Sequence, residues 1–132
     1  MAGQLTIDTL RASSGVLSVA NGMTGIAKAW VNFNGTNGTN NNSFNVSSVT
    51  RNTTGDYTIT FSTAMPNANY TIGFMVGNGT SQTSGAAWVC ALYSTATTLT
   101  TSVRILCTYT QTSPAGMGAF DANPITISIV GN

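Results

Sequence analysis

The sequence predicts an all-β domain: an antiparallel β-sandwich of jelly-roll character, with about seven strands, preceded by an extended N-terminal arm. Three observations carry this expectation. Apolar and polar residues alternate with a period of two in segment after segment. No window of helical length carries an apolar stripe at i, i+3, i+4 and i+7 on good helix formers. Clusters of Asn, Gly, Thr, Ser and Pro punctuate the alternating segments at short intervals.

Residues 1–25 stand apart. The stretch LTIDTLRASSGVLSVANGMTG carries apolar beats at Leu5, Ile7, Leu10, Val16, Leu17, Val19 and Met23, interrupted by Ser-Ser-Gly and Asn-Gly. It is too apolar for an idle linker and too broken for a helix. It reads as an arm for attachment or oligomerisation, hiding its apolar residues against another chain. The alternative is an edge strand folded onto its own sandwich. Residues 26–132 then form the sandwich domain.

Within that domain, AKAWVNF (27–33) places Lys28 outward on a strand beside Trp30. SFNVSSVTR supplies a second strand over about 43–50. GDYTITFS aligns Tyr57, Ile59 and Phe61 against Asp56, Thr58 and Thr60 over 56–62. NYTIGFMV (69–76) groups Tyr70, Ile72, Phe74 and Val76. TSVRILCTYT, for a strand over about 99–109, aligns Val103, Ile105, Cys107 and Tyr109, with Arg104 and Thr108 outward. NPITISIV, over 124–130, aligns Ile125, Ile127 and Ile129. Each is rich in β-branched and aromatic residues. AAWVCALY (86–93) differs in being apolar on both faces: Ala87, Val89, Ala91 and Tyr93 on one, Trp88, Cys90 and Leu92 on the other. Such a strand is usually covered on both sides. One face meets the core. The other calls for a second subunit or for a folded-over loop of the same chain.

Composition narrows the function classes. The chain has 132 residues, enough for one domain with its own core. Only 5% of residues are charged, far below the roughly 25% of ordinary soluble domains. The seven charged residues are scattered and sum to +1. No basic stripe is available for a nucleic-acid backbone, and no polybasic patch for a membrane surface. No segment approaches the ~20 apolar residues of a spanning helix. The N-terminus lacks the basic start and apolar core of a signal peptide, so synthesis in a cytoplasm is the expectation. Near-zero net charge gives little repulsion between copies, which an assembly tolerates best. Several Asn-x-Ser/Thr sequons, such as those at Asn34 and Asn52, follow from the composition and are expected to be unmodified.

Catalytic chemistry finds little material. Histidine and glutamate are both absent, which removes the usual triads and most general bases. Asp8, Asp56 and Asp121 lie in an arm, at a turn and before the last strand, with no sign that two converge as a glycosidase needs. The expectation is no enzyme activity and no cofactor. Cys90 and Cys107 do not make a zinc site. If the hairpin from 86 to 109 folds about residue 96, Cys90 lies opposite Ser102. Two free buried thiols are then expected rather than a disulfide.

The run GIAKAWVNFNGT, followed by SFNVSSVTRNTTGDYTITFSTAMPNANYT, resembles a module of tailed-bacteriophage virion proteins of the tail-fibre type. The likeness extends over residues 26–71, with a weaker one in LTIDTLRASSG. Residues 77–132 match only in general character. The resemblance implies a non-enzymatic virion component, homotrimeric, whose partners are its own copies and other tail or capsid proteins. Where the family often carries an Ile-Arg loop after NFNGT, this chain has GTNGTNNN without charge, so no role for that arginine transfers.

That loop is the candidate receptor-facing element: Asn34, Thr36, Asn37, Thr39, Asn40, Asn41 and Asn42. Asn and Thr both donate and accept hydrogen bonds, as sugar hydroxyls require, which makes host surface glycans the ligand class. Equally, Asn and Gly suit a tight turn on their own account. If consecutive strands simply alternate, the loops near 34–42, 63–68 and 94–98 share one end. The arm then shares the other with those near 51–55, 77–85 and 110–123. The candidate assembly contacts are Leu5, Ile7, Leu10, Val16, Leu17, Val19, Trp88 and Leu92. A capsid decoration protein that binds no receptor is the alternative function. A secreted carbohydrate-binding module stands further off, since Trp30 and Trp88 read as packing anchors.

Overall fold

A computed structural model describes residues 27–77, 87–94, 98–112 and 115–131. The arm and its six candidate contacts, Leu5 to Val19, lie outside the described residues. Those described form nine strands and no helix: β1 (Ala27–Phe33), β2 (Asn40–Phe44), β3 (Val46–Thr53), β4 (Asp56–Phe61), β5 (Thr71–Val76), β6 (Ala87–Leu92), β7 (Ser102–Thr112), β8 (Ala115–Ala119) and β9 (Ile125–Val130). One sheet has the order β2-β1-β9-β5. The other runs β3-β4-β7-β6, with β8 paired to β7. Every pairing is antiparallel. The predicted all-β sandwich is what the chain adopts.

The period-2 rows become the core. Val31, Phe33, Ile125, Ile127 and Ile129 project from one sheet, and Tyr57, Ile59, Val103 and Ile105 from the other, each 0–2% exposed. Phe33 and Tyr57 meet edge to face across the sandwich, with ring centroids 5.1 Å apart. Burying one such aliphatic side chain contributes about 1.5–3 kcal/mol, so this interior needs no charge to hold it.

Two strands depart from the expected seven. The segment expected as one strand over 43–50 is divided between β2 and β3 at Asn45, whose φ is +55°. There the chain leaves one sheet for the other. Asn tolerates left-handed backbone better than most residues. Its side chain also holds the crossing: Nδ2 donates to the carbonyls of Lys28 and Thr63, and Oδ1 accepts from Thr63 N–H at 2.7 Å. The other addition is β8, AGMGA, which reads as a turn because it holds two glycines. It forms by pairing with β7 from Thr108↔Ala119 to Thr112↔Ala115.

The division at Asn45 also changes which loops share an end. β2 returns from the 34–39 turn to the level of Lys28, and β3 climbs back. The 34–39 turn therefore lies beside Arg51 and Ala122, at the same end as the turn at 54–55. Thr63 lies at the opposite end, by Asn45 and the start of β1. Simple alternation placed the 34–42 loop opposite the arm's entry, and the 34–39 turn is there. It also grouped that loop with 63–68 and set it apart from 51–55 and 110–123, and all three of those placements are corrected.

The cysteines are a second correction. Cys90 and Cys107 are directly opposed in the β6–β7 ladder and joined as a disulfide, with Cα atoms 4.1 Å apart. The hairpin does not fold about residue 96. Its tight turn is later, where Leu99 N–H donates to Ser102 C=O and Thr98 bridges Val103. Extra residues after β6 shift the ladder by several positions. A connection made almost wholly of Ser and Thr gives no sign of where it turns.

Candidate interaction surfaces

The 34–39 turn is built by its own asparagines. Asn34 Oδ1 accepts from Thr36 N–H and Asn37 Oδ1 from Thr39 N–H, both at 2.9 Å. These are two successive Asx turns. The turn closes through Gly38 N–H to Asn34 C=O at 2.7 Å, and Gly38 has φ +74°, a conformation glycine adopts without penalty. Gly35 is pinned beneath. Its N–H bonds Ala122 C=O, and a Cβ there would lie 2.7 Å from the Tyr57 hydroxyl. The tip is thus fixed to the sandwich, leaving Thr36, Asn37 and Thr39 exposed.

Asn40, Asn41 and Asn42 are not loop residues. They open β2, the edge strand beside β1. Asn40 donates to Ser43 Oγ and Asn42 accepts from Ser43 N–H. Asn41 begins a relay across the outer face of the sheet: its amide donates to Asn32 Oδ1 at 2.9 Å, and Asn32 donates to Thr126 Oγ1 at 3.0 Å. Five of the seven candidate receptor residues therefore use a side-chain group to build the turn or the strand. On the same outer face, Trp30 is directly opposite Phe44, which is 55% exposed. Trp30 is only half-buried, so an aromatic pair position beside amide-bearing strands is open to solvent.

Below the turn lies a polar cluster at the sandwich end. Asp121 receives a forked contact from Arg51, with Nη2–Oδ2 at 2.6 Å. It also accepts from Gly55 N–H at 2.8 Å and from the Tyr57 hydroxyl at 2.6 Å. Burial alone would raise the Asp121 pKa. Arg51, then the Gly55 amide and the Tyr57 hydroxyl, outweigh it and hold the carboxylate below its ordinary value. Burial, and then the bond to Asp121, push the Tyr57 hydroxyl well above its ordinary value. Asp56, 1% exposed, forms the second such site. It is not bound to local backbone as a turn aspartate would be. Arg104 grips it through Nε at 2.8 Å and Nη2 at 2.5 Å, and Asn52 donates to it at 3.0 Å. Arg104, the leading cause, lowers the Asp56 pKa. The Arg104 guanidinium also lies 3.9 Å from the centre of the Tyr93 ring. Four charged residues that read as scattered are therefore two ion pairs. Their partners are far apart in sequence, which is why alternation alone could not match them.

The opposite side of the sandwich is apolar. Among the described residues β5 and β6 are free edges of the two sheets, and between them runs a groove of about 240 Å³ lined by Tyr70, Ile72, Phe74, Ala91, Leu92 and Ile105. Eight large apolar residues are exposed among the described ones, and five belong to this margin: Phe74, Met75, Val89, Leu92 and Tyr93. Leu92 is 47% exposed. Trp88, the other candidate contact on β6, is half-buried instead. Its ring packs on Phe120 at 4.3 Å and on Tyr109 at 5.6 Å, inside its own chain. Its row carries Cys90 into the core and ends at Leu92 on the groove, while Val89 and Ala91 of the other row are exposed.

Among the described residues no three His, Cys, Asp or Glu side chains gather as a metal site, and no helix is long and apolar enough to cross a membrane. No family model matches the chain, and neither a curated protein nor a solved structure does.

Proposed function

We propose that this chain is a virion structural module of tailed bacteriophages, of the tail-fibre or spike type, which assembles with its own copies as a homotrimer. The assembly part rests on one observation: an uncharged double edge, β5 and β6, with Phe74 and Leu92 exposed along the groove between them. Native proteins guard free edges with Lys, Pro or bulges, and TIGFMV and AWVCAL hold no charge and no proline. The phage assignment rests on the likeness of residues 26–71 to fibre modules. The virion is then where the chain resides, and other tail or capsid proteins are its further partners.

Host surface glycans remain the ligand class for the far end. The geometry favours a broader surface than the loop tip, joining Thr36 and Thr39 to the outer face of β1 and β2, where Trp30, Phe44 and Asn32 sit. A sugar ring stacks on an aromatic face while amides reach its hydroxyls. Mass spectrometry of purified phage particles and immunogold labelling test the assignment. The reading expects the chain in particles, with label at the tail. Label over the whole head would favour capsid decoration, and absence from particles would overturn the proposal.

A further inference from the structure

We infer that the β5–β6 groove is the seat of the N-terminal segment Gln4–Thr9 of a second copy, added as a strand to the free edge of β5. The inference rests on the reading of the arm as an assembly element and names the surface that receives it. Three features of the molecule carry it.

The first is the form of the seat. Phe74 belongs to the core-facing row of β5, since it pairs with Ile127 in the ladder. Yet Ile127 is fully buried and Phe74 is 45% exposed. The sandwich is short of one strand's worth of side chains there, between Phe74 above and Leu92 below. Strand addition supplies main-chain hydrogen bonds along the edge and apolar residues at alternate positions. In Gln-Leu-Thr-Ile-Asp-Thr, Leu5 and Ile7 share one face and Asp8 takes the other. Six extended residues span about 20 Å, the length of the six-residue β5.

The second is reach. β1 begins at Ala27, which pairs with Val130, and Val130 pairs in turn with Thr71 at the start of β5. A segment folding back onto its own edge would cross only two strand spacings, about 10 Å. Between Thr9 and Ala27 stand 17 residues, which extend to about 55 Å. That spacer is far longer than a return to the same edge requires, and it exceeds the ~30 Å breadth expected of a domain this size. A neighbouring copy is within range.

The third is charge. Of the five charged side chains on described residues, Arg51, Asp121, Arg104 and Asp56 are spent in two ion pairs within the chain, leaving Lys28. Such a surface does little to keep copies apart. If each arm seats on the next copy, the contacts are heterologous, and a homotrimer follows where the rotation between copies closes after three.

Photo-crosslinking in the full chain tests this. Phe74→benzoylphenylalanine is produced as a mixture of light and isotopically heavy chains, assembled together, irradiated and mapped by mass spectrometry. The inference expects mixed-isotope crosslinks between position 74 and peptides from residues 1–11. Crosslinks confined to one isotope would put the segment on its own chain, and crosslinks to any other segment would give the groove another occupant; either overturns the inference. Native mass spectrometry of the unmodified chain, and of Phe74→Asp, is the companion measurement. A trimer that Phe74→Asp converts to folded monomer supports the seat. A trimer unaffected by Phe74→Asp removes the seat and leaves the trimer standing. A monomeric wild-type chain removes both.

Discussion

Phe74 and Ile127 face each other across the β5–β9 ladder, one residue apart in space and opposite in circumstance. Ile127 is sealed between two sheets, whereas Phe74 looks into an open groove. The same contrast holds for whole margins of the molecule. On the β2–β3 side, the chain itself crosses from sheet to sheet at Asn45 and the Asn45 side chain ties β1 to the segment after β4. On the β5–β6 side, two edges end without charge or proline, and among the described residues no strand pairs with either. A sandwich that spends four of its described charges on internal ion pairs has closed one margin by covalent continuity and left apolar side chains exposed at the other.

The largest test of this contrast is a matched pair of truncations. Ile127→Ala should destabilise the folded chain by about 3–4 kcal/mol, since it removes buried methylenes and leaves a cavity. Phe74→Ala in a monomeric preparation should cost under about 1 kcal/mol, because half of that ring is already wet. Urea midpoints at constant slope measure both. Equal losses would mean that the groove is as dry as the core.

Next in size is the disulfide. Cys90 and Cys107 are 17 residues apart, and a loop of that order stabilises by about 3 kcal/mol in the chain-entropy account. Cys90→Ala with Cys107→Ala should lower the melting temperature, and a reductant should have no further effect on that variant. Retention of the wild-type melting temperature would show that the bond adds nothing to the β6–β7 ladder.

How much of this was legible beforehand divides along the same line. The core rows of β1, β4, β7 and β9 follow from period-2 alternation, because a residue facing a sealed interior has one choice of chemistry. The strand boundary at Asn45 does not follow. It depends on one residue adopting a left-handed backbone, which an Asn in an Asn-rich chain does not advertise. The disulfide was hidden by the Ser/Thr connection after β6, where nothing fixes the register. The ion pairs were hidden because Arg51 and Asp121 meet only once the fold is made. Of the two β6 candidates, the reading of Trp88 as a packing anchor agrees with its contacts to Tyr109 and Phe120, whereas the doubly apolar pattern alone does not tell a covered Trp88 from an exposed Leu92.

Smaller again is the polar end. Asp121→Ala strips the acceptor from Arg51, the Gly55 amide and the Tyr57 hydroxyl together, and should cost about 2–3 kcal/mol as buried donors lose their partner. Acid should act in the same direction. Asp56 and Asp121 have folded pKa values below their ordinary 3.8, so the unfolded chain binds protons first as pH falls. Their contribution is complete above about pH 5, declines through pH 4 and is lost as pH drops through the folded values. Tyr57 acts oppositely. Its raised pKa means that stability is lost as pH climbs past its ordinary 10.0, where the unfolded chain ionises first. In Asp121→Ala the acid arm of the profile should flatten in part, and an unchanged profile would mean that this carboxylate takes no share in acid unfolding.

The smallest expected effects separate turn-building from recognition at the far end. Asn34→Ala removes the acceptor for Thr36 N–H and should cost about 0.5–1 kcal/mol, the worth of one hydrogen bond. Thr36→Ala with Thr39→Ala leaves the hydrogen bonds of the turn in place, because those residues contribute backbone rather than side-chain groups to them. Stability should stay within about 0.5 kcal/mol of the parent. Any loss of adsorption to host cells in that double variant would then come from lost contact rather than lost fold. A loss seen in Asn34→Ala but not in the threonine pair would assign the loop to architecture and move recognition to the Trp30 and Phe44 face.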